Sequence, residues 1–295
     1  MLRYTEPVTK EKISLALGGG AAKGLAHVGV LRGLEEDGVE VTAIAGTSMG
    51  AIVGALSARG MSAAEMVGFF NAVDWSRLGW IMARSPGGAA FRDLVQETIG
   101  PGRIEDLRLP YAAVCCDLAT GDEVVLRDGP LAEAVRASSA IPGILPPVEA
   151  AGRNLVDGAM VTPVPVAAAA SLSIEPVLAV NVLKLSAPVQ HTRQAVGRLL
   201  GAATPDPILE RVEGILGRHL KRLLDRKPQT PNRLDVIMRS THVMQYNLSR
   251  QRESPVDTIE PDLGAIGWFD FHLAPQIIEE GYRAYRFFQD RDESL

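Results

Sequence analysis

Through the first half of the chain, short apolar runs alternate with longer stretches of helical periodicity. Ile13-Ser14-Leu15-Ala16-Leu17 leads into a glycine loop and then a helical pattern over 22–37, and Val41-Thr42-Ala43-Ile44-Ala45 leads through a second glycine turn into a helix over 49–59. Apolar runs of this length, bounded by glycine, read as strands buried on both faces. Two consecutive strand-loop-helix units predict a parallel sheet with right-handed crossovers. A strand near 111–117 follows, paired through Thr120-Gly121 with a strand over 122–126. After it come a short helix over 131–138 and one more buried strand over 176–183. Beyond about residue 190 the pattern turns helical. Ile208, Leu209, Val212, Ile215, Leu216, Leu220, Leu223 and Leu224 recur at three- and four-residue spacing, with Arg218, Lys221, Arg222 and Arg226 loading the other face. Helices are also expected over 233–252 and 274–289, with a late edge strand and turn over 259–264 between them. The expected architecture is α/β, a mostly parallel sheet flanked by helices, with a core over 13–190 and a mainly helical extension over 191–295.

Composition narrows the function classes. At 295 residues and 46% hydrophobic, the chain can bury one large core. Its 30 basic and 35 acidic residues give a net charge of −5, which offers no electrostatic case for nucleic acid. Cys115 and Cys116 are adjacent in an apolar run and cannot staple distant parts of the chain, which points to a reducing compartment. The first twelve residues are polar, unlike a secretory signal. The apolar stretch over 161–183 is broken by Pro163, Pro165, Glu175 and Pro176, which argues against a membrane span. A cytoplasmic location is expected, with peripheral contact at the inner membrane face as its extension.

The chemistry is concentrated at the strand ends. In Gly46-Thr47-Ser48-Met49-Gly50 the flanking glycines let the backbone turn tightly from strand to helix and push the Ser48 hydroxyl out over the helix start. The bland alternative is an ordinary glycine-rich turn. Upstream, Gly18-Gly19-Gly20-Ala21-Ala22-Lys23-Gly24 exposes backbone N–H groups at a helix start, suited to a phosphate or an oxyanion. Ala21 occupies the third place of a dinucleotide fingerprint counted back from Gly24, and Lys23 is followed by glycine instead of the Ser or Thr of a P-loop. A nucleotide is therefore disfavoured, and an oxyanion hole for Ser48 is the better reading. No calcium loop or zinc-ligand spacing is visible, and no cofactor is expected.

A third element is Asn154-Leu155-Val156-Asp157-Gly158-Ala159, preceded by the proline-punctuated Ser138-Ser139-Ala140-Ile141-Pro142-Gly143-Ile144-Leu145-Pro146-Pro147, stiff enough to fix a pocket wall. In this order the motifs resemble the patatin-like phospholipases, bacterial branch, over roughly residues 13–183. The resemblance implies a serine–aspartate dyad: Ser48 as nucleophile, Asp157 as its base, and amides of Gly18, Gly19 and Gly20 as the oxyanion hole. Elbow geometry adds the Met49 N–H as a further candidate donor. Lys23 stands where the family carries a basic residue, usually arginine, and two readings stay open for it: support of the loop or of an anionic head group, or a solvated lysine. Of the five histidines, His27, His191, His219 and His242 are poorly placed, and His272 is the one serious rival to Asp157 as base. An aspartate near its ordinary pKa of about 3.9 is a weak base for a serine, so Asp157 needs partial burial.

These elements imply a metal-free serine acyl-hydrolase acting on lipid esters, phospholipid or lysophospholipid. From another class, a catalytically weak lipid-binding or regulatory adaptor on the same fold is the alternative. The stripe over 208–224 is either a helix packed on the domain or a mobile or interfacial cover for the site.

Overall fold

The computed structural model describes residues 12–75, 89–150, 152–184, 233–251 and 256–292. The chain opens with β1 (Lys12–Leu17), a 3-10 turn (Ala21–Leu25) and α1 (Ala26–Glu36), then β2 (Glu40–Thr47) and α2 (Met49–Ala58). Thus the helix expected over 22–37 begins as a tighter turn. Helices α3 (Ala63–Ala72) and α4 (Ala89–Ile99) precede β3 (Tyr111–Asp117), β4 (Glu123–Leu126) and α5 (Leu131–Ser138). After them come β5 (Val148–Ala150), β6 (Arg153–Asp157), α6 (Val166–Ala170), β7 (Val177–Val180), α7 (Arg233–Arg250), β8 (Asp257–Ile259) and α8 (Ala274–Asp292). The amphipathic stripe over 208–224, with His191 and His219, lies outside the described residues.

All eight strands join one sheet. β1 pairs in parallel with β2 and β7, β2 with β3, and β7 with β8, as the strand-loop-helix order predicts. The late strand from the C-terminal region thus closes the edge beyond β7. Antiparallel pairing is confined to β4, β5 and β6 around the far end of β3.

The pairing along β3 positions the site. Val114 pairs with Thr47 of β2 and also with Val125 of β4, while Cys115 pairs with Asp157 of β6 and also with Val124 of β4. A strand has two hydrogen-bonding edges, so β2 and β6 must share the edge opposite β4. Running in opposite directions along that edge, they end on consecutive rungs. Ser48 follows the last residue of β2, and Asp157 is the last residue of β6.

The two faces of the sheet differ in bulk. Ile13, Leu15, Leu17, Ile44, Tyr111, Leu178 and Val180 belong to the large core shared with α1, α2, α3 and α8. The opposite face carries a rung of alanines, Ala179–Ala16–Ala45–Ala112, on which α6 packs through Ala168 and Ala169. Side chains cut to a methyl allow that short helix to lie close, giving helix, sheet and helix layers. No helix among the described residues is long and apolar enough to cross a membrane.

Candidate active site

The Ser48 backbone is held at φ 55°, ψ −121°, a left-handed conformation that costs a non-glycine residue of order 1–3 kcal/mol. Two features hold it there. Gly50 has no Cβ, and one placed there would run into the Leu17 carbonyl of β1. The Ser48 N–H donates to Ser138 Oγ at 2.9 Å, and that hydroxyl donates to the Val114 carbonyl at 2.6 Å. Ser138 is completely buried, and it ties the turn to β3. The Thr47 hydroxyl adds a bond to the Thr162 carbonyl at 3.0 Å, joining the turn to the chain after Asp157.

So held, the Ser48 hydroxyl donates to Asp157 Oδ2 at 2.6 Å. The other carboxylate oxygen, Oδ1, accepts the Ala159 N–H at 2.9 Å, which fixes the carboxylate plane. Both side chains are almost fully withdrawn from water, Ser48 at 5% exposure and Asp157 at 4%. Burial against the patch around Cys115, Ala137, Ala140 and Leu155 raises the Asp157 pKa from its ordinary value to about 6, against the opposing pull of the bonds from Ser48 and Ala159. A carboxylate so perturbed and so placed can take a proton from a hydroxyl near neutral pH.

The glycine loop lies against this pair. A Cβ at Gly19 would stand 3.1 Å from Ala159 Cβ and 3.3 Å from Ser48 Cβ, tighter than most such contacts, so glycine is what lets the loop approach. Of the four amides expected in an oxyanion hole, two are otherwise engaged. The Gly18 N–H donates to the Val180 carbonyl at 3.0 Å and the Gly19 N–H to the Pro163 carbonyl at 2.9 Å. They carry on the β1–β7 ladder and the tie to the segment before α6, which corrects their expected role. The amides of Gly20 and Met49 have no acceptor among the described residues.

Lys23 is not the solvated lysine of one sequence reading. It is wholly buried, with Nζ donating to the Lys184 carbonyl at 3.0 Å, and burial, then the charge of Arg239, lowers its pKa to about 8. It braces the loop against the chain leaving β7 and does not line the cavity beside Ser48. His27 and His242 are buried and bonded to the Gly18 and Leu183 carbonyls, at 2.7 and 3.2 Å, and burial lowers both to a pKa of about 4. His272 is exposed on the turn Phe271–Leu273 and does not line the cavity beside Ser48. The proline-punctuated segment supplies Ile141 and Leu145 to the pocket wall, as its stiffness suggested.

Beside Ser48 opens a cavity of about 300 Å³, at the lower end of small-ligand pockets. Its walls are mostly apolar. Ile52 stands one helical turn from Ser48, and Phe69, Phe70, Trp75, Phe91 and Phe271 supply aromatic surface. Trp75 stacks on Phe271 at 4.9 Å and on Phe70 at 6.3 Å. The aromatic residues come from α3, the stretch just after it, α4 and the turn Phe271–Leu273 and had no distinguishing sequence signal, although Ser62 and Glu65 form the capping box that starts α3. Ser138 and His27 were likewise unassigned.

The chain belongs to the patatin-like phospholipase family, whose model matches residues 15–170. An uncharacterised NTE family protein of Mycobacterium tuberculosis is 38% identical over 176 residues, 58% of this chain and 49% of that protein. A second from the same organism is 31% identical over 289 residues, 95% of this chain and 46% of that protein. Patatin-like phospholipase domain-containing protein 6 of Mus musculus is 35% identical over 193 residues, 61% of this chain and 14% of that protein. The chain thus spans about half the length of the mycobacterial relatives and far less of the mouse one. The crystal structure of VipD from Legionella pneumophila aligns over 96% of this chain and 67% of that chain at 12% identity and a TM-score of 0.50, a likeness of fold alone.

Proposed function

We propose that the chain is a serine acyl-hydrolase that cleaves carboxylic esters of lipids, phospholipid or lysophospholipid, through an acyl-enzyme on Ser48. The observation that carries this reading is the 2.6 Å hydrogen bond from Ser48 Oγ to a buried Asp157 with a raised pKa, at the wall of an apolar cavity. Membership of the patatin-like phospholipase family supports a lipid substrate.

The ester's acyl chain lies among the aromatic side chains and its carbonyl carbon faces Ser48. Asp157 accepts the hydroxyl proton as Oγ bonds to that carbon, and the N–H groups of Gly20 and Met49 receive the charge developing on the carbonyl oxygen. Collapse of the tetrahedral species breaks the bond to the alcohol, whose oxygen takes the proton from Asp157. Water then attacks the acyl carbon and gives a proton to Asp157; collapse breaks the bond to Ser48 Oγ, which takes that proton from Asp157, and the carboxylic acid leaves. The cycle uses no metal, and the alcohol leaves at the open side of the cavity, where a peripherally bound membrane would deliver substrate.

The test is labelling with a fluorophosphonate probe alongside hydrolysis of esters of increasing acyl length. Wild type is expected to label and to prefer chains long enough to fill the cavity, whereas Ser48→Ala should do neither while keeping its melting temperature. A folded wild type that does not label would make the chain a lipid-binding adaptor.

A further inference from the structure

His27 is used by no step of that chemistry, yet its placement is hard to explain as packing. It sits in the first turn of α1 with no exposure to solvent. Its Nδ1 has no partner, and a buried imidazole with one bare nitrogen is a worse core residue than an aliphatic side chain of similar size. The gain must come from the other nitrogen. A carbonyl oxygen can only accept, so Nε2 carries the hydrogen and donates to Gly18 O at 2.7 Å.

The peptide unit that contains this carbonyl ends in the Gly19 N–H, and that N–H donates to the Pro163 carbonyl at 2.9 Å. The Gly18–Gly19 peptide plane is therefore gripped at both ends: the oxygen by His27, the hydrogen by the chain after Asp157. Two glycines in succession would otherwise be the most freely rotating part of the loop. The next N–H along the chain belongs to Gly20, one of the two amides left without an acceptor.

We propose that His27 is a positioning residue: by holding the Gly18 carbonyl it fixes the peptide plane that aims the Gly20 N–H at the oxyanion. This rests on the hydrolase reading above. It assigns the histidine a role in transition-state geometry with no proton transfer. A donor amide displaced by an ångström or so forfeits on the order of 10²-fold in rate, with little effect on ground-state binding.

The test compares three variants of the full chain on a water-soluble p-nitrophenyl ester. In His27→Gln the side-chain amide can reach the place of Nε2–H. His27→Met is matched to Gln in length but has no donor, and the amide of His27→Asn stops at the position of Nδ1. The expected result is a kcat lowered about 100-fold in Met and Asn with KM within about twofold, and recovery to within about tenfold of wild type in Gln. The Gly19 amide should also exchange with deuterium faster in Met than in Gln, a readout independent of turnover. Equal kcat in Gln and Met, a loss carried by KM, or unchanged Gly19 exchange would each overturn the proposal while leaving Ser48 and Asp157 in place. A wild type inert to the ester would overturn it together with the hydrolase reading.

Discussion

Ser138 Oγ lies between the Ser48 amide at 2.9 Å and the Val114 carbonyl at 2.6 Å, so one buried hydroxyl accepts from the strained turn and donates to the strand beneath it. Among the described residues of the site, no other hydroxyl bridges two elements in both directions. Ser138→Ala should leave a buried donor and a buried acceptor unpaired, costing about 1–3 kcal/mol of stability. Thermal unfolding of the two proteins checks the stability loss. The variant should also lose turnover beyond what its unfolded fraction explains, because Ser48 is then free to relax.

The pH dependence follows from Asp157. It acts as a base only when ionised, and burial raises its pKa to about 6. On a water-soluble ester, kcat/KM should therefore rise with pH through an apparent pKa near 6, well above an ordinary aspartate. A profile flat from pH 5 to pH 8, on the order of the whole accessible range, would contradict the burial argument.

The same shift has a signed consequence for stability. Asp157 titrates near 3.8 in the unfolded chain and near 6 in the folded one, so the folded state holds its proton more tightly. The stability this provides is full below the unfolded value and is lost as pH rises through the folded one. Asp157→Asn carries no charge and escapes that loss. At pH 8 the variant should be more stable than wild type by up to roughly 3 kcal/mol, less the value of the bond from Ser48, and the difference should vanish towards about pH 4. Paired denaturation curves at the two pH values test this, and activity should fall by about 10³-fold or more as the base is lost.

Cavity shape should set acyl preference. Ile52 stands on α2 one turn beyond Ser48 and faces the cavity. Ile52→Trp should fill space next to the nucleophile, cutting hydrolysis of a long-chain ester at least about tenfold relative to the acetate, since removed apolar contact is worth about 0.8 kcal/mol per methylene. The ratio of kcat/KM for the two esters is the measurement.

Legibility from sequence followed locality. Ser48 and the strand before it could be read because a strand, two glycines and a helix are contiguous, and the parallel pairing of β1 and β2 followed from two such units in succession. Asp157 was legible through its motif, but its environment was not, because the antiparallel pairing with Cys115 spans distant sequence and no local pattern sets that register. The fates of Gly18 and Gly19 were hidden for a related reason. Backbone amides look alike in sequence, and only the arrival of Val180 and Pro163 shows which are already engaged. Lys23 misleads by its residue type, since a lysine is seldom wholly buried, and a carbonyl 161 positions away makes this one tolerable.

The head-to-head meeting of β2 and β6 on one edge of β3 also bears on how the site comes into being. The hydroxyl and the carboxylate stand 109 residues apart in the chain, and their strands are held together through the shared neighbour β3. A folding intermediate with β1, β2 and β3 assembled would display the serine turn with nothing to deprotonate it. In the proposed chemistry, competence therefore requires the rung between Cys115 and Asp157, so a chain with that edge of β3 unpaired would be inert towards esters.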